Sequence, residues 1–134
     1  MISPFKDDRQ ELLSWVTQLK EMVGFNNLFY DYPVLEYLFR NLFKLRGRDL
    51  TFKLYLFSKS LISGKRYVDV SRQFRKQIDL FKINHFDNKA KKTSLKLLEF
   101  NLRLKNIQEL PYPPDTVLTA EQIHHVEDYC VNDT

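Results

Sequence analysis

Apolar residues recur along this chain mostly at helical spacing, with only short stretches of alternation between the helical runs. Leu12, Leu13, Val16 and Leu19, flanked by Trp15, follow Asp7 and Asp8 and predict an amphipathic helix over residues 8–20. Met22-Val23-Gly24-Phe25 is a short apolar run suited to a buried strand. A second helix starts near Pro33, a residue tolerated in a first turn, and its stripe is Leu35, Leu38, Phe39, Leu42 and Phe43. Leu45-Arg46-Gly47-Arg48 breaks it. Residues 49–62 predict a third helix with Phe52, Tyr55, Leu56 and, less regularly, Leu61 inward, ended by Gly64. Residues 72–77 fit a short helical turn, and Ile78-Asp79-Leu80-Phe81-Lys82-Ile83 alternates with period two and predicts a strand. Thr93 is placed to cap a helix through Leu102, with Leu95, Leu98 and Leu102 inward. Leu110-Pro111-Tyr112-Pro113-Pro114 is an extended connector, because each proline disfavours helix in its predecessor. Thr119-Ala120-Glu121-Gln122 is a capping box, opening a last helix that turns Ile123, Val126 and Cys130 inward. The alternation predicts an α/β layer, mostly helical around two parallel strands, as a single domain over residues 1–134.

Composition narrows the class. Hydrophobic residues make up 43% of the 134, with eleven Phe and seven Tyr, which argues against disorder. No apolar run reaches the roughly 18 residues of a spanning helix, so no membrane partner is expected. The amino terminus lacks a secretory pattern, and a cytoplasmic setting is expected. A lone cysteine excludes an intramolecular disulfide or a cysteine zinc cage, and Cys130 fits a small core-lining thiol.

Charge is segregated more strongly than the net +4 suggests. Residues 44–105 carry seventeen Lys and Arg against five acids, whereas residues 106–134 carry six acids and no Lys or Arg. A basic middle before an acidic end fits a nucleic-acid track beside a metal-binding edge, or else a solvated basic face.

Two places could hold chemistry. Asp31 lies where the first strand gives way to the second helix, as a helix cap or as a metal-site acid, and Asn26, five residues earlier at the strand end, is placed to bind substrate or to hold the junction. Tyr129 and Asp133 are four positions apart, on one face of the last helix and one turn apart. An aspartate there can ligate a metal, and the tyrosine hydroxyl can orient a water on it. His124 and His125 read as surface or rim residues. Asp79, within the second strand, reads as structural.

The string Gly24-Phe25-Asn26-Asn27-Leu28-Phe29-Tyr30-Asp31-Tyr32-Pro33-Val34-Leu35 resembles the second motif of the DnaQ-like 3′–5′ exonucleases, in particular the proofreading domains of phage-type DNA polymerases. Leu118 to Gln122 followed by Val126-Glu127-Asp128-Tyr129-Cys130-Val131-Asn132-Asp133 resembles the third motif of the tyrosine-bearing subclass. The histidine-bearing subclass has His five residues before the Asp, and here that position is Asp128. Ile78-Asp79-Leu80-Phe81 resembles the family's fifth strand, and Lys92 to Phe100 the helix after it in the phage polymerase subset. The first motif, Asp-x-Glu, occurs nowhere in the chain.

The resemblance implies a partial ribonuclease H-like fold whose opening strands are missing, so that the 22–26 strand keeps an unpaired edge. It implies phosphodiester hydrolysis at single-stranded DNA 3′ ends during DNA replication, with two Mg²⁺ or Mn²⁺ ions. Asp31 and Asp133 would be two of the four metal-holding acids and would converge on one cleft; Tyr129 would orient the attacking water and Asn26 support the junction. The partners are single-stranded DNA and the missing polymerase or exonuclease segment, in cis or in trans. Lys89, Lys91 and Lys92, before the Thr93 helix, head the residues expected to contact phosphates. The alternative is a non-catalytic nucleic-acid-binding or polymerase-associated module on the same scaffold, and a further one is a basic helical interaction protein.

Overall fold

A computed structural model describes residues 6–65, 73–84 and 93–133. The protein is α/β, about 54% helix with two parallel strands in one sheet. The chain divides into two compact units, residues 1–92 and 93–134.

In the first unit, α1 (Arg9–Gln18) leads into β1 (Glu21–Gly24), followed by α2 (Asp31–Arg40), α3 (Gly47–Ile62), β2 (Lys76–Asp79) and the short α4 (Leu80–Asn84). β1 and β2 run parallel in the register Glu21 to Lys76 through Gly24 to Asp79, as the alternation of elements predicts. Val16, Leu28, Tyr32, Leu38, Leu42 and Leu50 form the buried apolar core. Tyr32 stacks on Phe74 at 5.0 Å between ring centroids, and its hydroxyl accepts the Phe74 N–H at 2.6 Å. Core contact and hydrogen bond therefore fix the approach to β2 together. Arg75 donates to the carbonyls of Val16 and Thr17 at the end of α1, where the Val16 carbonyl also accepts the Leu19 N–H.

One charged residue belongs to this core. Arg9 is fully buried; its guanidinium pairs with Asp7 at 2.7 and 2.6 Å and donates to the carbonyls of Asn41 and Leu45. It thus ties the start of α1 to the turn after α2, and nothing in the apolar pattern signals it.

Several expectations need correction. The alternation at 78–83 is not a strand: β2 ends at Asp79 and α4 begins at Leu80. The cause is local, since the Asp79 carboxylate accepts the Phe81 N–H at 3.0 Å and so opens a helical turn. On α3 the buried side is not that of Phe52, Tyr55 and Leu56, which are exposed. Leu50 is fully buried and Leu54, Phe57, Ser58 and Leu61 are partly covered, a stripe at i, i+4, i+7, i+8 and i+11. The helix has two apolar faces, and spacing alone does not choose between them. Phe43, expected in the α2 stripe, is 76% exposed because the helix stops at Arg40 and the stripe loses its phase in the following turn.

The second unit contains α5 (Leu95–Asn101) and α6 (Ala120–Asn132). Ser94, rather than Thr93, caps α5, its hydroxyl accepting the Leu97 N–H at 3.1 Å. The capping box is present as expected: Thr119 Oγ1 accepts the Gln122 N–H and Gln122 Oε1 accepts the Thr119 N–H. Apolar cover is thin here. Leu102, Ile123 and Cys130, expected inward, are exposed, because among the described residues of this unit only Glu99 is buried. No helix of the described residues is long and apolar enough to cross a membrane.

Candidate functional site

At the first candidate place the chain leaves β1 through a tight junction. A Cβ on Gly24 would come within 2.9 Å of Asn27 Cβ, so only glycine admits this approach. Asn26 then turns into the left-handed region at φ 58°. Its N–H donates to Asp79 Oδ1 at 2.8 Å, and its carbonyl accepts the N–H groups of Phe29 and Tyr30. Leu28 N–H reaches Asp79 Oδ2 at 3.3 Å. Asp79, only 4% exposed, therefore receives three backbone N–H groups and knits β2 to the segment that leads into α2. Its structural reading fits this geometry. Asn26 supports the junction through its backbone.

Asp31 is the first residue of α2, and the cap position before it belongs to Tyr30, which makes no side-chain capping bond. The carboxylate stands in the first turn, where the helix dipole favours a negative charge. Asp31 as a residue is exposed, yet protein packed round its carboxyl desolvates it. That desolvation raises its pKa above the usual carboxylate value; a hydrogen bond from its own backbone opposes the rise, and the nearby Asp79 charge adds to it.

In the second unit Tyr129 and Asp133 stand one turn apart at the end of α6, where the Asp133 N–H donates to the Tyr129 carbonyl at 3.1 Å. The Asp133 side chain hydrogen-bonds the Tyr129 phenol and raises its pKa, with desolvation and the Asp133 charge adding and Lys96 opposing. The phenol thus stays protonated through neutral pH. Asp133 caps the C-terminal end of α6, where the helix dipole disfavours an anion. A cation compensates: Lys96 Nζ, from α5, lies 2.5 Å from Asp133 Oδ1 and 5.2 Å from the Tyr129 ring centroid. Lys96 Nζ also stands 3.3 Å from Glu99 Oε2. Burial would lower the Lys96 pKa, but Asp133 and Glu99 outweigh it and hold the ammonium above the usual lysine range.

Lys96 and Glu99 are functional candidates that sequence reasoning missed. A signal existed: no Lys or Arg occurs in residues 106–134, so any cation for Asp133 has to come from outside its helix. Cys130, one position after Tyr129, has its thiol pKa pushed up by desolvation and by the Asp133 and Glu127 charges, which argues against a reactive thiolate. His124 and His125 are exposed, paired with Glu127 and Tyr112 respectively.

Asp31 and Asn26 belong to one unit, Tyr129 and Asp133 to the other. Lys89, Lys91 and Lys92 lie outside the described residues. Among the described residues no three His, Cys, Asp or Glu side chains stand together as a metal cage. No family model, curated protein or solved structure matches this chain.

Proposed function

We propose that this chain carries part of a DnaQ-like 3′–5′ exonuclease site, completed by an Asp-x-Glu segment in cis or in trans. The substrate class is a single-stranded DNA 3′ end, as in proofreading during replication. The observation that carries this reading is the Lys96 ammonium seated 2.5 Å from Asp133 Oδ1 and 5.2 Å from the Tyr129 ring centroid, a cationic position that both residues of the pair already face.

The side chains suit hard divalent cations, which take oxygen ligands, and the buried Glu99 Oε2, which shares the Lys96 ammonium with Asp133, accepts no hydrogen bond. Two bound Mg²⁺ or Mn²⁺ ions would supply charge stabilisation for in-line displacement at phosphorus. Asp31 in the first unit and Asp133 in the second are each proposed as a metal-holding acid. The Tyr129 hydroxyl, kept protonated by its neighbour, is able to orient a water near Asp133. Asn26 and Asp79 hold the turn that presents Asp31, and the desolvated Asp31 carboxyl would ionise more readily beside a cation.

The test is to co-express the chain with a segment bearing Asp-x-Glu and assay Mn²⁺-dependent removal of 3′ nucleotides from labelled single strands. Activity lost in Asp133→Ala supports the reading. A stable complex that cleaves nothing overturns it.

A binding module is the second reading, favoured by an open recess in the second unit lined by Phe100, Asn101, Arg103, Leu104, Lys105 and Ile107. Exposed Phe100 offers a stacking surface and Arg103 and Lys105 offer phosphate contacts. Neutralising both would flatten the salt dependence of single-strand binding by about 0.7 in slope per charge removed. Binding of that kind without cleavage under any metal favours this reading over the first.

A further inference from the structure

Glu99 is the only buried residue among the described residues of the second unit, 8% exposed, and it is a carboxylate. Its Oε2 accepts no hydrogen bond although it lies 3.3 Å from the Lys96 ammonium. A buried, incompletely satisfied carboxylate is costly unless a cation stands against it. The same ammonium is 2.5 Å from Asp133 Oδ1 and lies over the Tyr129 ring. Two carboxylates from different helices and an aromatic face therefore converge on one position, and that position holds a positive charge.

We propose that this is a divalent-cation position formed by Glu99 and Asp133, held by the tethered Lys96 ammonium until a metal ion displaces it. The inference rests on the reading that Asp133 takes a metal, and it adds Glu99 as a ligand and Lys96 as the competitor that sets the affinity. The chemistry suits the exchange. A lysine ammonium is a compact charge on a flexible four-carbon stem, so it leaves by rotating its own side chain. Mg²⁺ and Mn²⁺ prefer the carboxylate oxygens it would vacate. Lys96 thereby acts on loading, as a positioning residue for both carboxylates while the metal is absent. Once displaced, it remains tethered within a side chain's length of the bound ion, where a phosphate would be drawn.

The experiment measures Mn²⁺ binding to the full chain from the free-ion electron paramagnetic resonance signal, with no nuclease assay involved. Lys96→Met keeps the aliphatic stem and removes the competing charge, and it is expected to bind Mn²⁺ about tenfold or more tightly than the unaltered chain, the effect of one charge-assisted contact. Adding Glu99→Gln or Asp133→Asn to Lys96→Met should each abolish that gain. Equal affinity of Lys96→Met and the unaltered chain overturns the proposal, as does a gain that survives Glu99→Gln. Far-ultraviolet circular dichroism checks that α6 is kept, and Lys96→Gln carries the same comparison if the methionine variant does not fold. A missing exonuclease activity with this pattern intact would remove the nuclease reading and leave the cation position standing. Loss of the Glu99 effect, with Asp133→Asn still abolishing the gain and the completed domain active, would remove only the present inference.

Discussion

The two units treat buried acids in opposite ways. In the first, Asp79 is satisfied by three backbone N–H groups, and the bonds join β2 to the turn that precedes α2. In the second, Glu99 makes no hydrogen bond through Oε2 and shares an ammonium with Asp133. Burial is similar, 4% against 8% exposure, so burial does not distinguish a structural carboxylate from one available for chemistry. The partners do. Backbone donors lock an acid into the fold, whereas a side-chain cation on a flexible stem is exchangeable. Asp31 follows neither pattern: desolvation raises the pKa of its carboxyl, and the hydrogen bond from its own backbone does not outweigh it.

The largest expected effect comes from breaking the locked acid. Asp79→Ala leaves three N–H groups without their acceptor, each worth about 1–3 kcal/mol, and should unfold the first unit or cost it at least about 3 kcal/mol in urea denaturation. Glu99→Gln should by contrast change stability by about 1 kcal/mol or less, because it removes a buried charge as well as an ion pair. Equal losses from the two substitutions would break the comparison. A smaller effect is expected at the capping box: Thr119→Ala should cost about 1 kcal/mol. That loss should appear in amide exchange of α6 and leave the exchange of β1 and β2 unchanged, as the division into two units predicts.

The smallest effect concerns Asp31 and pH. Its pKa in the folded chain is raised, so between the ordinary carboxylate pKa and the raised one the native state binds more protons than the unfolded state. The stabilisation from this group is complete below the unfolded value and is lost as pH rises through the folded one. Asp31→Asn should therefore show a shallower loss of stability across that window than the unaltered chain, read from urea midpoints in acid and at neutrality. A difference between the two that stays constant with pH would remove desolvation as the cause.

Much of the scaffold is legible in the order of residues. The α1 stripe, the parallel pairing implied by alternating elements and the Thr119 capping box are local patterns with direct physical readings. The errors came where two local readings compete. Period-two alternation over 78–83 gave way to a side chain that caps a helix, and two apolar faces of α3 left its inward side to packing. At the candidate site the placing of Tyr129 and Asp133 one turn apart on α6 follows from spacing of four. The groups that complete it do not, because Lys96 and Glu99 stand more than thirty positions away in sequence, and only folding brings them to Asp133. Arg9 was invisible for the same reason, its carbonyl acceptors being Asn41 and Leu45.

A Mg²⁺ titration of the full chain followed by amide and tyrosine NMR tests directly the proposal that the acids singled out in both units hold metal. Saturable shifts are expected at the first turn of α2 around Asp31 and at Tyr129 and Asp133 on α6, with the Asp133 shifts abolished in Asp133→Asn. Shifts spread over the basic surface, or none at these residues at saturating metal, would contradict it.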